Sequence, residues 1–134
     1  MVLFYCVDEN GGLLFNKRRQ SMDSELRKRI LNLVGEDKLF CDSYTAKQFE
    51  ERDKLQIVED DNFSAASFVF AEKQEPTKLL PSADRLILFK WNRKYPSDRK
   101  FGEIPTDFRL VSTEDFVGSS HDKITQEIYE KTGE

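Results

Sequence analysis

Arg85-Leu86-Ile87-Leu88-Phe89-Lys90-Trp91 is the stretch on which the reading of this chain turns. Its apolar centre runs without alternation, the signature of a strand buried on both faces, and such strands sit inside sheets covered by other layers. A sheet interior of that kind needs partner strands and helices, and both are found on either side of it.

Upstream, residues 2 to 8 read as a strand of β-branched and aromatic side chains, stopped by the turn signal Asp8-Glu9-Asn10-Gly11-Gly12. Leu13-Leu14-Phe15 returns to apolar, and the basic stretch Asn16-Lys17-Arg18-Arg19-Gln20-Ser21 follows. Leu26, Ile30, Leu33 and Val34 then recur at helical spacing, which predicts a helix from Asp23 to Val34, with Gly35 as its stop. Lys38 to Asp42 reads as a short strand. Thr45 and Gln48 have capping-box spacing and predict a second helix through Glu51. Leu55 to Val58 and Ser67 to Ala71 read as further strands, with Pro76 and Pro81 bracketing a connector.

Downstream, Asn92 to Pro105 is irregular, Phe108 to Ser112 alternates like a strand, and Ile124 and Ile128, four apart, predict a final helix from Asp122 to Lys131. Strands alternating with helices imply α/β layers. We therefore expect one domain over residues 1–134, a mixed, mostly parallel sheet flanked by helices.

Composition narrows the chemistry. At 134 residues, the chain has room for one hydrophobic core, to which eleven phenylalanines contribute. A net charge of -4 argues against nucleic acid as a partner and leaves any electrostatic recognition local. No apolar run reaches the roughly 20 residues that cross a bilayer, and the start lacks a basic leader, so a cytoplasmic location is expected. Cys6 and Cys41 lie in apolar strands and read as buried reduced thiols. A single histidine, His121, rules out sites built on several imidazoles, and no acidic run has calcium-loop spacing, so no metal is expected.

The order of elements and several strings resemble the dihydrofolate reductase family in shortened form. Val2 to Gly12 is similar to that family's first strand and the start of its mobile loop, and Glu25-Leu26-Arg27-Lys28-Arg29-Ile30 to its first helix. Pro81 to Leu88, Tyr95-Pro96-Ser97-Asp98, Ile104-Pro105 and Phe108 to Ser112 follow its last strands. The resemblance implies a catalytic carboxylate at Asp23 or Glu25 and an NADPH-dependent reduction. It also implies a Gly-Gly turn against the cofactor pyrophosphate, and here Phe70-Ala71-Glu72-Lys73 stands in that place. A carboxylate where a phosphate cradle is expected disfavours NADPH. The strings Phe15 to Ser21 and Ser112 to His121 are also similar to a small bacterial family, some of whose members bear the name ribonuclease Z. That enzyme needs histidines around zinc, which one His cannot provide.

Two segments carry candidate chemistry. Asn16, Arg18, Arg19 and Gln20 precede a helix start, where arginines can grip phosphate or carboxylate in a bidentate way. Ser119, Ser120, His121 and Lys123 combine hydroxyls, an imidazole and a cation, suited to an anion or to proton transfer, and the serines also read as caps of the last expected helix. The expected partner is thus a small anionic or nucleotide-like molecule. As alternatives, Asp23 or Glu25 would serve a reductase as proton donor, with His121 a further catalytic candidate through proton transfer, and the aromatic and cationic Trp91 to Lys94 would serve an RNA or protein interaction module.

Overall fold

The computed structural model describes residues 1–132. Two strands, β1 (Val2–Val7) and β2 (Gly12–Phe15), are joined by the Asp8 turn, and β3 (Arg18–Arg19) folds back on β2. Helix α1 (Ser24–Val34), β4 (Leu39–Cys41), the short helix α2 (Ser43–Ala46), β5 (Leu55–Ile57) and β6 (Phe68–Phe70) follow. A one-turn helix α3 (Pro76–Leu79) leads to β7 (Arg85–Lys90), then β8 (Arg99–Lys100), β9 (Phe108–Phe116) and β10 (Ile124–Lys131).

Seven strands form one sheet in the order β5-β4-β6-β1-β7-β10-β9, and β3-β2-β8 form a small second sheet. The pairs β1–β6, β1–β7, β4–β5 and β4–β6 are parallel, while β10 runs antiparallel to β7 and β9. The fold is therefore α/β with a mixed, mostly parallel sheet. β7 lies between β1 and β10, and Leu86, Ile87, Leu88 and Phe89 are all buried, so its unbroken apolar run reflects cover on both faces.

One face packs on α1 through Leu26, Ile30 and Val34 against Phe4, Ile87 and Phe89, each such burial contributing about 1.5–3 kcal/mol. The opposite face is covered by Leu13 and Leu14 of the small sheet, Phe101, Phe63 and the α3 segment, packed on Leu3, Tyr5, Leu86 and Leu88. Among the described residues, helical cover on this second face is limited to the single turn of α3 and the 3-10 turn Leu80–Ser82 that follows it, where the sequence predicted helices on both sides.

Three local expectations are corrected. The expected helix at Asp122 to Lys131 is β10: a spacing of four fits a helical turn but is also twice the strand period, so Ile124, Gln126 and Ile128 share one face of the sheet. The second helix begins before Thr45 and ends at Ala46. Its cap is Asp42, whose carboxylate accepts the Thr45 N–H at 2.8 Å, while the Thr45 hydroxyl is drawn away to Glu72. Ser119 and Ser120 lie in the turn between β9 and β10, so there is no following helix for them to cap.

The outer strand β9 pairs with β10 from Phe108↔Lys131 to Phe116↔Ile124, with one residue, Val111, skipped between Leu110↔Tyr129 and Ser112↔Ile128. Among the described residues its far side has no strand neighbour, and Leu110 and Val111 are exposed.

Candidate functional site

The parallel strands β1, β4 and β6 end on carboxylates, Asp8, Asp42 and Glu72, and the segment from Arg18 to Asp23 crosses this rim. Asp8 closes the turn after β1. Its Oδ1 accepts the N–H groups of Asn10 and Gly12 at 2.9 and 2.8 Å, and its Oδ2 accepts Tyr95 N–H at 3.0 Å and the Gln20 amide at 3.2 Å. Burial works to raise its carboxyl, but these donors outweigh it and hold the group below the usual carboxylate range.

Glu72 is buried at the end of β6 and faces Arg19, whose guanidinium donates Nε at 2.9 Å to Oε2 and a terminal N–H at 3.0 Å to Oε1. Thr45 Oγ1 donates to Oε1 at 2.9 Å and Gln48 Nε2 at 3.2 Å. The same guanidinium lies 4.2 Å over the Tyr44 ring and donates to the Tyr44 carbonyl at 3.0 Å. Arg19 is thus engaged inside the protein.

A nicotinamide dinucleotide does not fit beside this pair. The buried Glu72 carboxylate occupies the turn for which the resemblance implied a pyrophosphate cradle of bare N–H groups. The cavity among Cys6, Leu13, Arg19, Gln20, Ser21, Ala71, Glu72 and Trp91 holds about 10 Å³.

The second constellation forms where the Arg18–Asp23 segment meets the β9–β10 turn. Asp23 is the cap of α1, its Oδ1 accepting Glu25 N–H at 2.9 Å and Leu26 N–H at 3.2 Å. It also accepts the N–H groups of Ser119 and Ser120, both at 2.9 Å, and meets His121 Nδ1 at 2.9 Å from Oδ2. Burial alone would raise the Asp23 carboxyl, but the Ser120 N–H, His121 and the Ser119 N–H hold it far below the usual range. Both of its oxygens are taken up by donors inside the protein, so it stands as an ionised acceptor at neutral pH. Glu25 is exposed, bonded through Oε1 to Lys28 at 3.3 Å.

With Asp23 ionised, His121 Nδ1 must be the donor of that bond, which leaves Nε2 as an acceptor in the neutral ring. Two hydroxyls reach it, Ser21 Oγ and Tyr95 OH, each at 3.0 Å. Trp91 is buried and stacks on the imidazole with ring centroids 4.5 Å apart, so it is no open platform for a base. Gly118 is required here, because a Cβ at that position would collide with the Asp23 carboxylate and with Ile124.

The remaining expected contacts divide. Gln20 donates to Asp8 and to the Pro96 carbonyl, Ser119 Oγ accepts the Ser24 N–H at 3.0 Å, and Ser120 Oγ donates to Asp23. Lys123 is exposed, and its carbonyl accepts from Asn92. Asn16 and Lys17 both have positive φ, 51° and 62°, and connect Phe15 to Arg18 as a type I′ hairpin turn. Arg18 is exposed on that hairpin and forms no ion pair among the described residues. Beside the hairpin, Leu14, Lys17, Lys73, Asp98 and Arg99 line an open depression of about 490 Å³. Asp98 accepts the Asn16 N–H at 3.1 Å, Arg99 pairs with the exposed Glu75 at 3.1 Å, and Lys73 Nζ sits 4.0 Å over Tyr44.

Ser21, Tyr95 and the depression were not singled out from sequence. The basic string offered Lys17, but Lys73 enters from the loop after β6 and Arg99 from β8, and Tyr95 meets His121 only through the fold. Among the described residues no three His, Cys, Asp or Glu side chains are grouped to hold a metal ion, and no helix is long and apolar enough to cross a membrane.

No family model and no curated protein matches the chain. Among solved structures it is similar to the dihydrofolate reductase from Enterococcus faecalis complexed with NADP(H) and RAB-propyl, with a TM-score of 0.68 over 97% of this chain and 95% of that one. Identity is 12%. The likeness establishes a dihydrofolate-reductase-like fold.

Proposed function

We propose that this domain binds a small anion-bearing molecule, of the phosphate or polycarboxylate kind, in the depression beside the Asn16-Lys17 hairpin. Lys17, Lys73 and Arg99 supply the charge, the neighbouring Arg18 adds to it, and Leu14 offers an apolar floor. The observation that carries the reading is three cations around one acid in a concave space of about 490 Å³, within the range of small-molecule sites.

The backbone adds support. The second centre of a type I′ turn favours glycine, and Lys17 stands there at a φ of 62°. An L-residue in that region costs roughly 1–2 kcal/mol, and a cost held at a charged position fits a role in binding. The anion thus sits beside the loop expected from sequence, but Arg19, Gln20, Ser119 and Ser120, with donors committed inside the protein, are not its contacts.

The test is a thermal-shift titration with inorganic phosphate, pyrophosphate and citrate at low salt. The melting temperature should rise with ligand concentration and the rise should shrink in Lys17→Gly and Lys73→Ala. A melting temperature indifferent to all three anions at millimolar concentration would refute the proposal.

A further inference from the structure

We infer that Ser21, His121 and Asp23 form a nucleophile relay, with Ser21 Oγ able to attack the carbonyl carbon of an ester. This does not rest on the anion-binding reading, since none of the three lines that depression. The carrying observation is the linear order of contacts: Ser21 Oγ to His121 Nε2 at 3.0 Å, and His121 Nδ1 to Asp23 Oδ2 at 2.9 Å. A hydroxyl nucleophile needs a base within hydrogen-bond reach, and that base needs a third group to fix its tautomer and offset its developing charge.

Each member is held for its part. Asp23 is clamped by four backbone N–H groups, from Glu25, Leu26, Ser119 and Ser120, so it cannot turn away from the imidazole. His121 is fixed between Asp23 and the Trp91 ring. Ser21 is partly exposed, in a segment with no regular secondary structure, while its base and orienting acid are buried. This is the burial order an attacking group requires. Tyr95 OH lies 3.5 Å from Ser21 Oγ, at the edge of hydrogen-bond distance, and can donate there when Ser21 donates to Nε2.

In the step, the Ser21 O–H proton passes to His121 Nε2 as Oγ bonds to the carbonyl carbon. The tetrahedral adduct then collapses, the ester C–O bond breaks, and the leaving alkoxide takes the proton from Nε2. The acyl group stays on Ser21 Oγ until water, deprotonated by the same nitrogen, attacks its carbonyl carbon; the bond from that carbon to Oγ then breaks, Oγ takes the proton back from Nε2, and the acid leaves. Atoms balance as one ester plus one water giving one acid and one alcohol, and no electrons are exchanged.

The test uses the full chain and a fluorophosphonate probe, which loses fluoride as it bonds to an activated serine oxygen. One adduct per chain should appear by intact mass and map to Ser21. It should vanish in Ser21→Ala and form roughly 100-fold more slowly in His121→Gln. No adduct on the folded chain, an adduct at another residue, or equal labelling of Ser21→Ala would overturn the inference. Should those variants fold poorly by circular dichroism, Ser21→Cys gives a second readout. Iodoacetamide should modify the introduced thiol rapidly at mildly acidic pH, because an imidazole partner favours the thiolate. Reaction only at alkaline pH, as for an isolated thiol, would equally refute the relay.

Discussion

Asp23 and His121 lie 98 positions apart in sequence, yet Oδ2 of one meets Nδ1 of the other at 2.9 Å. The contact ties the start of α1 to the turn that closes the β9–β10 hairpin. Neither segment has enough regular structure at that point to hold itself in place. One carboxylate therefore caps a helix, shapes a turn and orients an imidazole.

Removing that carboxylate should be costly. Asp23→Ala deletes a helix cap and leaves the turn N–H groups without an acceptor, so we expect a loss of about 2–4 kcal/mol. Urea denaturation followed by circular dichroism would measure it. A loss below the uncertainty of the fit would mean that water substitutes for the carboxylate.

The same group sets an acid limit. Its folded carboxyl lies below the value of an unfolded aspartate, about 3.9, so the stability it gives is fully present above that pH and is lost as pH falls toward the folded value. Wild-type stability should decline progressively once pH drops below about 4, and Asp23→Asn should show a shallower decline. Parallel acid profiles for the two proteins would contradict this.

At Arg19 and Glu72 the expectation is asymmetric. Glu72→Met or Arg19→Met alone strands one half of a partly buried ion pair and should cost about 3–5 kcal/mol, whereas the double replacement Arg19→Met with Glu72→Met should recover most of that loss. Chemical denaturation of the two single variants and the double variant completes the cycle.

Lys17→Gly should separate stability from binding. Relief at the left-handed position is expected to raise stability by up to about 1 kcal/mol, while anion affinity falls. Melting temperature without and with pyrophosphate reads both effects from one sample.

Gly118→Ala tests the close packing of the turn. The added methyl has to displace the Asp23 carboxylate or Ile124, so a destabilisation of about 1–3 kcal/mol is expected. A neutral outcome in thermal unfolding would show that the turn can move aside.

Much of the fold could be read from local pattern. β7 was recognisable because burial on both faces leaves no polar residue between Leu86 and Phe89, and α1 because Leu26, Ile30 and Val34 keep helical spacing. β10 was misread because Ile124 and Ile128 satisfy both periods, and the choice is made by the open edge of β7, which no local window contains. The site was less legible for the same reason. His121 and Asp23 each stood out alone, but their union with Ser21 and Tyr95 depends on three separate segments meeting. Glu72 was noticed as a misfit for phosphate, and its actual partner, Arg19, lies 53 positions away.

The skipped residue in β9 bears on behaviour at high concentration. An outer strand of nine residues carrying Leu110 and Val111 in the open would be a template on which further chains could stack. The extra residue at Val111 kinks the hydrogen-bonding row near its middle, so an incoming straight segment loses step partway along. One irregular residue thus makes this edge a poorer template for a further strand.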